Sequence, residues 1–147
     1  MKTRGFELVS TMEGGKIPTR GTKASAGYDF YLLGTVVINP GETVLCNTGI
    51  KAYMQEDEVL EIYPRSSLAT KKGVRLANSV GIIDSDYYNN LNNEGHIMIP
   101  LYNFSDETVI LGNHDRIAQG IFKKYLTIDD EEVIDTERIG GFGSTND

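Results

Sequence analysis

The segment Thr35–Tyr63 reads TVVINPGETVLCNTGIKAYMQEDEVLEIY and indicates the fold class by its repeated pattern. Short runs rich in β-branched and aromatic residues predict strands at Thr35–Ile38, Thr43–Leu45, Ile50–Met54 and Val59–Tyr63. Asn39-Pro40-Gly41 separates the first two runs, and this tripeptide is typical of a tight turn. Short strands at this spacing predict an all-β domain, a distorted sandwich or barrel.

The same pattern continues on both sides of this segment. Further strands are predicted at Gly5–Val9, Tyr28–Leu33, His96–Asn103, Thr108–Leu111 and Arg116–Lys124. Ser66–Gly73 departs from it and predicts one short helix, with serine at the cap, lysines in the last turn and glycine past its end. A helix start preceded by Arg65 is suited to an anion. Taken alone, an ordinary capped turn explains the same residues.

Length and charge limit the classes of function. The 147 residues fit one domain, 1–147, for which we expect a core at 1–136 and a tail at 137–147. The net charge of −7 argues against a nucleic acid polymer as partner, because such proteins usually present a basic face. With the single Cys46 no intrachain disulfide can form. No segment predicts a membrane span, so we expect a cytoplasmic protein.

The last residues, Glu137–Asp147, read ERIGGFGSTND and predict a tail that is mobile when free. Arg138, Ser144 and Thr145 can donate hydrogen bonds to phosphate oxygens, and the glycines permit close approach to a ligand. A tail without function is the alternative interpretation. Phe142 argues against it, because a purely solubilising tail has little use for an aromatic side chain.

A carboxylate follows two isoleucines in the middle of the chain, where Ile82-Ile83 precede Asp84. Loss of water beside an apolar wall makes a carboxylate a stronger base, which suits general base catalysis. An aspartate at this place is also a common turn former, and Asp84-Ser85-Asp86 fits that interpretation as well.

Five segments in this order resemble the motifs of the trimeric, all-β dUTP pyrophosphatase (dUTPase) family almost from end to end. They are Ala26–Asp29, Pro64–Ala69, Gly81–Tyr87, Arg116–Gln119 and Gly140–Thr145. The resemblance implies a jelly-roll-like fold and the hydrolysis of dUTP to dUMP and pyrophosphate. It also implies a role in nucleotide metabolism that keeps uracil out of DNA.

The resemblance implies a role for each matching residue. Asp84 would activate the water that attacks the α-phosphorus, and Tyr87 would lie beneath the sugar and exclude a 2′-hydroxyl. The hairpin from Asn78 to Asp84 would bind uracil, with Met98 facing it. Asp29 would contact a water on the Mg²⁺ cofactor. The implied substrate-binding residues are Arg65, Ser66, Ser67, Asn78, Gly81, Ile82, Ile83, Tyr87, Met98, Gln119, Arg138, Phe142, Gly143, Ser144 and Thr145.

The resemblance further implies a homotrimer with shared active sites, in which the Asp84 hairpin and the Phe142 tail come from different chains. One departure from the family is an insertion: its third motif commonly reaches a glycine two residues after the tyrosine, whereas Gly95 lies eight residues after Tyr87. The additional residues fall within Tyr88–Glu94.

Two other functions remain open at this point. A dCTP deaminase has a similar fold, but would need a glutamate placed to activate water at the base, and the GGFGST tail favours the pyrophosphatase. A regulatory module would use the Tyr88–Glu94 insertion to contact a protein partner, which the sequence does not identify.

Overall fold

The structure, a computed structural model, describes residues 2–141. The strands are β1 Gly5–Leu8, β2 Tyr28–Tyr31, β3 Val36–Ile38, β4 Thr43–Asn47, β5 Ile50–Tyr53, β6 Glu58–Tyr63, β7 Val74–Leu76, β8 Gly81–Asp84, β9 Met98–Asn103, β10 Val109–Leu111 and β11 Arg116–Lys124. One helix, α1, spans Ser66–Lys72, and a single 3₁₀ turn spans Ser85–Tyr87. The expected all-β fold with one short helix is confirmed.

The strands form four antiparallel sheets. Their orders are β2-β11-β6-β8, β4-β9-β7, β1-β5 and β10-β3. In the four-stranded sheet, Gln119 of β11 lies opposite both Asp29 of β2 and Tyr63 of β6. Asp84 of β8 lies opposite Val59, at the other end of β6. This register places Asp29 beside Gln119 and places Asp84 away from both.

All the predicted strands are present, but β7 and β8 were not predicted as strands. Their segments are three and four residues long, and in β7 a buried valine and leucine flank an exposed arginine. The expected hairpin from Asn78 to Asp84 is also different from a simple hairpin. Strand β7 pairs with β9 whereas β8 pairs with β6, so the connection crosses from one sheet to the other.

Pro100 predicts an edge strand or a bulge, because proline cannot donate a ladder hydrogen bond. The structure instead places it in β9, the central strand of the three-stranded sheet. The Pro100 carbonyl accepts a 2.9 Å hydrogen bond from Ala77, one residue past the end of β7. Proline is tolerated because the ladder to β7 ends where the missing N–H would be needed.

Alternating strand residues build one core between the sheets. In β9, Ile99, Leu101 and Asn103 point inward, and the buried Asn103 amide donates to the carbonyls of Ile38 and Glu107, both at 2.8 Å. Cys46 is fully buried, as expected of a small core residue, and burial raises the pKa of its thiol to about 11.

The last strand ends at Lys124, and the side chains of residues 126–137 are exposed. The boundary between core and tail at residue 136 therefore stays a prediction. Across residues 2–141 we find no helix whose length and apolarity would let it span a membrane.

Candidate active site

A pocket of about 230 Å³ lies where the four-stranded and three-stranded sheets meet. We call it the apolar pocket. Its lining residues are Ile62, Leu76, Asn78, Gly81, Ile82, Ile83, Asp84, Tyr87, Met98, Ile99, Pro100, Arg138 and Gly141. Drug-sized ligands occupy pockets of about 300–1,000 Å³, so this volume suits a base and sugar better than a whole nucleoside triphosphate.

Close packing of β8 against β6 shapes one wall of the apolar pocket. A Cβ at Gly81 would lie 3.1 Å from the Cβ of Ile62, so a larger residue would push β8 away from β6. Ser79 turns the chain from one sheet toward the other with a φ of 65°, a left-handed conformation that is uncommon outside glycine. Asn78 on one side of this turn and residues 81–83 on the other line the cavity.

Asp84 lies on the rim of the apolar pocket and is bound to the tail. The guanidinium of Arg138 donates from Nη2 to Asp84 Oδ2 and from Nε to Asp86 Oδ1, both at 2.6 Å. The sequence suggests that Ile82 and Ile83 exclude water from Asp84. The structure differs, because the Asp84 side chain is 50% exposed. A carboxylate on an open rim can hold a water that faces the pocket.

Tyr87 forms a rigid floor. It is 6% exposed, its hydroxyl donates to the His96 carbonyl at 2.7 Å, and the same oxygen accepts a 2.9 Å hydrogen bond from Asn93. Burial is the main cause that raises the pKa of the Tyr87 hydroxyl. Burial also lowers the pKa of His96. Because Nε2 of His96 accepts a 3.0 Å hydrogen bond from the Gly49 N–H, the imidazole is neutral.

A second group of predicted site residues gathers elsewhere, where β2, β11 and β6 carry Asp29, Gln119 and Tyr63 side by side. We call Asp29, Arg65, Ser66, Ser67 and Gln119 the polar cluster. Gln119 Nε2 donates to the Pro64 carbonyl at 3.2 Å, and Arg65 Nε lies 3.9 Å from Asp29 Oδ1.

Two neighbours complete the polar cluster. Arg116 Nη1 lies 3.9 Å from Asp29 Oδ2, so a cation flanks each oxygen of this carboxylate. A Cβ at Gly27 would lie 2.5 Å from Oε1 of Gln119. The glycine of the first motif therefore makes room for the side chain of the fourth.

Helix α1 begins one residue earlier than the predicted serine cap requires. Arg65 occupies the N-cap position and makes no side-chain cap hydrogen bond, whereas Gly73 ends the helix in the left-handed conformation, as predicted. Within residues 2–141, the hydroxyls of Ser66 and Ser67 do not cap the helix. They remain able to donate to a ligand.

The apolar pocket and the polar cluster are separate within one chain. Val59, opposite Asp84, and Tyr63, opposite Gln119, are four residues apart on β6, and β8 and β11 lie on opposite sides of β6. Strand geometry then places Asp84 and Gln119 roughly 16 Å apart between Cα atoms. Arg65 and Ser67 line a different, open cavity that also contains Lys71, Lys72 and Arg116.

The structure thus brings part of the predicted site together. The apolar pocket contains Asn78, Gly81, Ile82, Ile83, Asp84, Tyr87, Met98 and Arg138. The predicted site residues Phe142, Gly143, Ser144 and Thr145 lie outside the described residues. Sequence reasoning missed Asp86 and Arg116 as members of the site; the alternation Asp84-x-Asp86 was the available signal for the first.

The described part of the tail lies against its own chain, and the expected exchange of the Phe142 tail between chains stays a prediction. Arg138 contacts Asp84 and Asp86 of its own chain, because the two carboxylates together attract its guanidinium. Gly141 lines the apolar pocket of the same chain.

Comparison with known proteins identifies the family. A sequence model of dUTPase matches residues 13–146. The chain belongs to the dUTPase family. The expectation of a hydrolase of this family is confirmed.

Individual relatives agree with this family. The deoxyuridine 5′-triphosphate nucleotidohydrolase of Lactococcus lactis subsp. lactis is 52% identical over 148 residues, covering 99% of each chain. The crystal structure of dUTPase from Streptococcus mutans matches with a TM-score of 0.82 and 48% identity, covering 85% of this chain and 98% of that one.

A more distant structure shares the fold. A mutant dUTPase from phage phi11 of S. aureus, in which the coordination of a structural Mg(II) ion is described, matches with a TM-score of 0.74 and 22% identity. It covers 90% of this chain and 97% of that one.

Proposed function

We propose that this chain hydrolyses dUTP to dUMP and pyrophosphate within nucleotide metabolism in the cytoplasm, and so keeps uracil out of DNA. Membership in the dUTPase family supports the substrate. The observation that carries the mechanism is the position of Asp84 on the rim of a pocket sized for a base and a sugar. In the proposed step Asp84 takes the proton of a water whose oxygen bonds to the α-phosphorus. The bond from the α-phosphorus to the bridging oxygen breaks, and pyrophosphate leaves with that oxygen.

The apolar pocket would select the base and the sugar. The backbone of Asn78 and of residues 81–83 would offer donors and acceptors to uracil, and such a site would leave the amino group of cytosine without an acceptor. Tyr87, held by two hydrogen bonds, would leave no space for a 2′-hydroxyl beneath the sugar. Arg138 would release Asp84 and move to the phosphates, because an ion pair at 2.6 Å makes the carboxylate a weaker base.

The polar cluster would hold the triphosphate. Arg65 and the hydroxyls of Ser66 and Ser67 suit phosphate oxygens, and Lys71, Lys72 and Arg116 surround the same open cavity. Among residues 2–141 no group of three or more metal-ligating side chains gathers. This fits Mg²⁺, which binds mainly through substrate phosphates and keeps its own waters. Asp29 would contact one of those waters, and the ion would neutralise charge on the phosphates when bound.

Separation of the two groups supports a homotrimer with shared sites. One chain carries the base-binding pocket and the triphosphate-binding cluster in different cavities, so each pocket needs the cluster of a second copy. Beyond β11 the chain also exposes Leu126 and Val133 by 96% and 95%, and apolar side chains on an extended segment suit burial against a partner.

The substrate is tested by measuring pyrophosphate released from dUTP, dTTP, dCTP and UTP under the same conditions. We expect release from dUTP to be preferred over the other three. Equal rates with dCTP, or release of ammonia from it, would contradict the proposal and favour the deaminase reaction.

Sharing of sites is tested by refolding equal amounts of two impaired variants, Asp84→Asn and Arg65→Ala. Activity is measured at dUTP concentrations far below KM, where each variant alone should retain about a tenth of wild-type activity or less, and this residual activity is the background. A shared site is intact when its pocket comes from an Arg65→Ala chain and its cluster from an Asp84→Asn chain. Each occurs in about half of the sites, so about a quarter of wild-type activity should return. If pocket and cluster belong to one chain, activity in a verified mixed oligomer stays at background.

The tail is tested in the same way, with Asp84→Asn mixed with a chain that lacks residues 138–147. A return of about a quarter of the activity places the working tail on a different chain from the Asp84 rim. Background activity in this mixture places both on one chain, in agreement with the Arg138–Asp84 contact.

A further inference from the structure

The Tyr88–Glu94 insertion is a compact loop with internal hydrogen bonds. Its centre is Asn90, which is 8% exposed. The Asn90 amide donates to the Tyr87 carbonyl at 2.7 Å and to Asn93 Oδ1 at 2.8 Å, and Asn90 Oδ1 accepts the N–H groups of Asn92 and Asn93, both at 3.0 Å. The insertion therefore has a defined surface.

The insertion is also bound to β5 and to the loop that follows β1. Lys51 Nζ donates to Asn89 Oδ1 at 2.6 Å and to Glu94 Oε2 at 2.7 Å. Ser10 donates to Glu94 through its N–H at 3.0 Å and its hydroxyl at 2.7 Å. Hydrogen bonds from Lys51 and Ser10 lower the pKa of the Glu94 carboxyl to about 2, so these contacts persist across neutral and mildly acidic pH.

The tail rests on this surface at Asn92. The Asn92 N–H, shared with Asn90, also donates to the Ile139 carbonyl at 3.0 Å. Gly140 is buried, whereas the residues from 126 to 137 are exposed. A Cβ at Gly140 would lie 2.7 Å from Asn92 Nδ2 and 3.1 Å from Asn92 Cβ. A larger residue at this position would have to displace the Asn92 side chain.

We propose that the Tyr88–Glu94 insertion is the docking platform of the tail, and that Asn92 is the positioning residue that seats Gly140. This proposal rests on the proposed function for its catalytic consequence. Docking at Gly140 sets the place of the residues on both sides of it. Arg138 Nη1 donates to the Gly140 carbonyl at 2.9 Å, so docking at Gly140 keeps Arg138 beside the rim of the apolar pocket.

On the other side of Gly140, the tail is placed at the apolar pocket. A Cβ at Gly141 would lie 2.8 Å from Cε1 of Tyr87, so this glycine packs directly on the floor of the pocket. Ordering a tail costs conformational entropy. A rigid platform that fixes one point beside the pocket reduces the number of residues that must be ordered when substrate binds. The insertion thus assists catalysis without contacting the substrate.

The test combines substitutions on both sides of the contact. Gly140→Ala places a methyl group against Asn92, and Asn92→Gly in the same chain removes the side chain that it meets. Leu91→Gly is the matched control, because it adds the same backbone freedom one residue away, at a side chain that is 91% exposed. Each variant is measured for dUTP turnover and for tryptic cleavage of the Arg138–Ile139 bond, with cleavage after Lys124 as the internal reference.

We expect Gly140→Ala to lower kcat/KM for dUTP roughly fivefold and to accelerate cleavage after Arg138 by a similar factor. Adding Asn92→Gly should restore both to within about twofold of Asn92→Gly alone, whereas adding Leu91→Gly should restore neither. Loss that persists in the Gly140→Ala/Asn92→Gly chain overturns the proposal. Cleavage is measured without substrate, so docking is decided even if the chain does not hydrolyse dUTP.

Discussion

The apolar pocket and the polar cluster are built in different ways. Four strands of two sheets enclose the apolar pocket, and a single glycine, Gly81, sets the distance between two of its walls. In the polar cluster, Arg65 and Ser67 line an open cavity together with other cationic side chains. Arg65 and Arg116 flank the Asp29 carboxylate. Discrimination by shape needs rigid walls from several elements, whereas binding of a triphosphate needs only charge within reach. We therefore expect substitutions in the pocket to change chemistry and selectivity, and substitutions in the cluster to change affinity.

The largest effect is expected at Asp84, on the rim of the pocket. Asp84→Asn removes the general base and should lower kcat by roughly a hundredfold or more while dUTP still binds. Rapid-quench turnover and calorimetric binding of dUTP measure the two effects. Asp86→Asn is the matched control, because it removes the other carboxylate bound to Arg138 and should cost much less. Equal losses would assign the effect to the ion pair with Arg138 instead of to water activation.

A smaller effect, of a different kind, is expected in the polar cluster. Arg65→Ala removes a cation from the triphosphate and should raise KM for dUTP by about tenfold, with a smaller change in kcat. The preference for dUTP over UTP should stay as in the wild type, because the sugar lies in the other half of the site. Steady-state kinetics with both nucleotides measure this, and a changed preference would break the distinction between pocket and cluster.

Tyr87 tests selectivity in the pocket directly. Tyr87→Ala should narrow the preference for dUTP over UTP several-fold, about 1 kcal/mol, because a 2′-hydroxyl gains space. The ring is buried, so the same change should cost about 3–5 kcal/mol of unfolding free energy.

Tyr87→Phe separates selectivity from stability. It keeps the ring and loses the bonds to His96 and Asn93, so stability should fall by about 1 kcal/mol with the preference unchanged. The values of kcat/KM for dUTP and UTP, measured below the melting temperature of each variant, show whether the preference for dUTP has changed. An unchanged ratio in Tyr87→Ala would place discrimination elsewhere.

The smallest effect is expected at His96, beneath the floor of the pocket. Burial lowers the pKa of His96, so as the pH falls below about 6.5 the unfolded chain binds a proton that the folded chain does not. Its contribution to stability is present above that pH and is lost as the pH falls toward the lowered pKa. Urea unfolding at pH 7.5 and 5.5 measures the loss, which should be smaller in His96→Gln. The surface change His114→Gln is the control, and an identical loss in all three chains would contradict the prediction.

Sequence patterns predicted much of the fold and much of the pocket. The limits of β11 were predicted to the residue, because RIAQGIFKK is a long run bounded by clear turns. Strand β7 was missed because an arginine separates its two apolar residues, whereas the equally short β3 and β10 are unbroken apolar runs. The separation of pocket from cluster was also not predictable. It depends on which residues of β8 and β11 lie opposite which residues of β6, and strand register is not visible in local periodicity.

Contacts of the tail were the other gap. The sequence identified Arg138 as a phosphate donor but did not indicate that Arg138 would contact Asp84 and Asp86. It also gave no role to the asparagines of the insertion, because an asparagine-rich stretch looks the same in a flexible loop and in one closed by its own amides.

Cys46 gives this protein an internal reporter of unfolding. Its thiol is fully buried, and a pKa of about 11 leaves almost no thiolate at neutral pH, so a chromogenic disulfide reagent should not label the native state. The chain has one cysteine, so each unfolding event exposes one reactive group. The rate of labelling therefore reports how often the core opens, without an added dye and in a chain that has no tryptophan to follow by fluorescence.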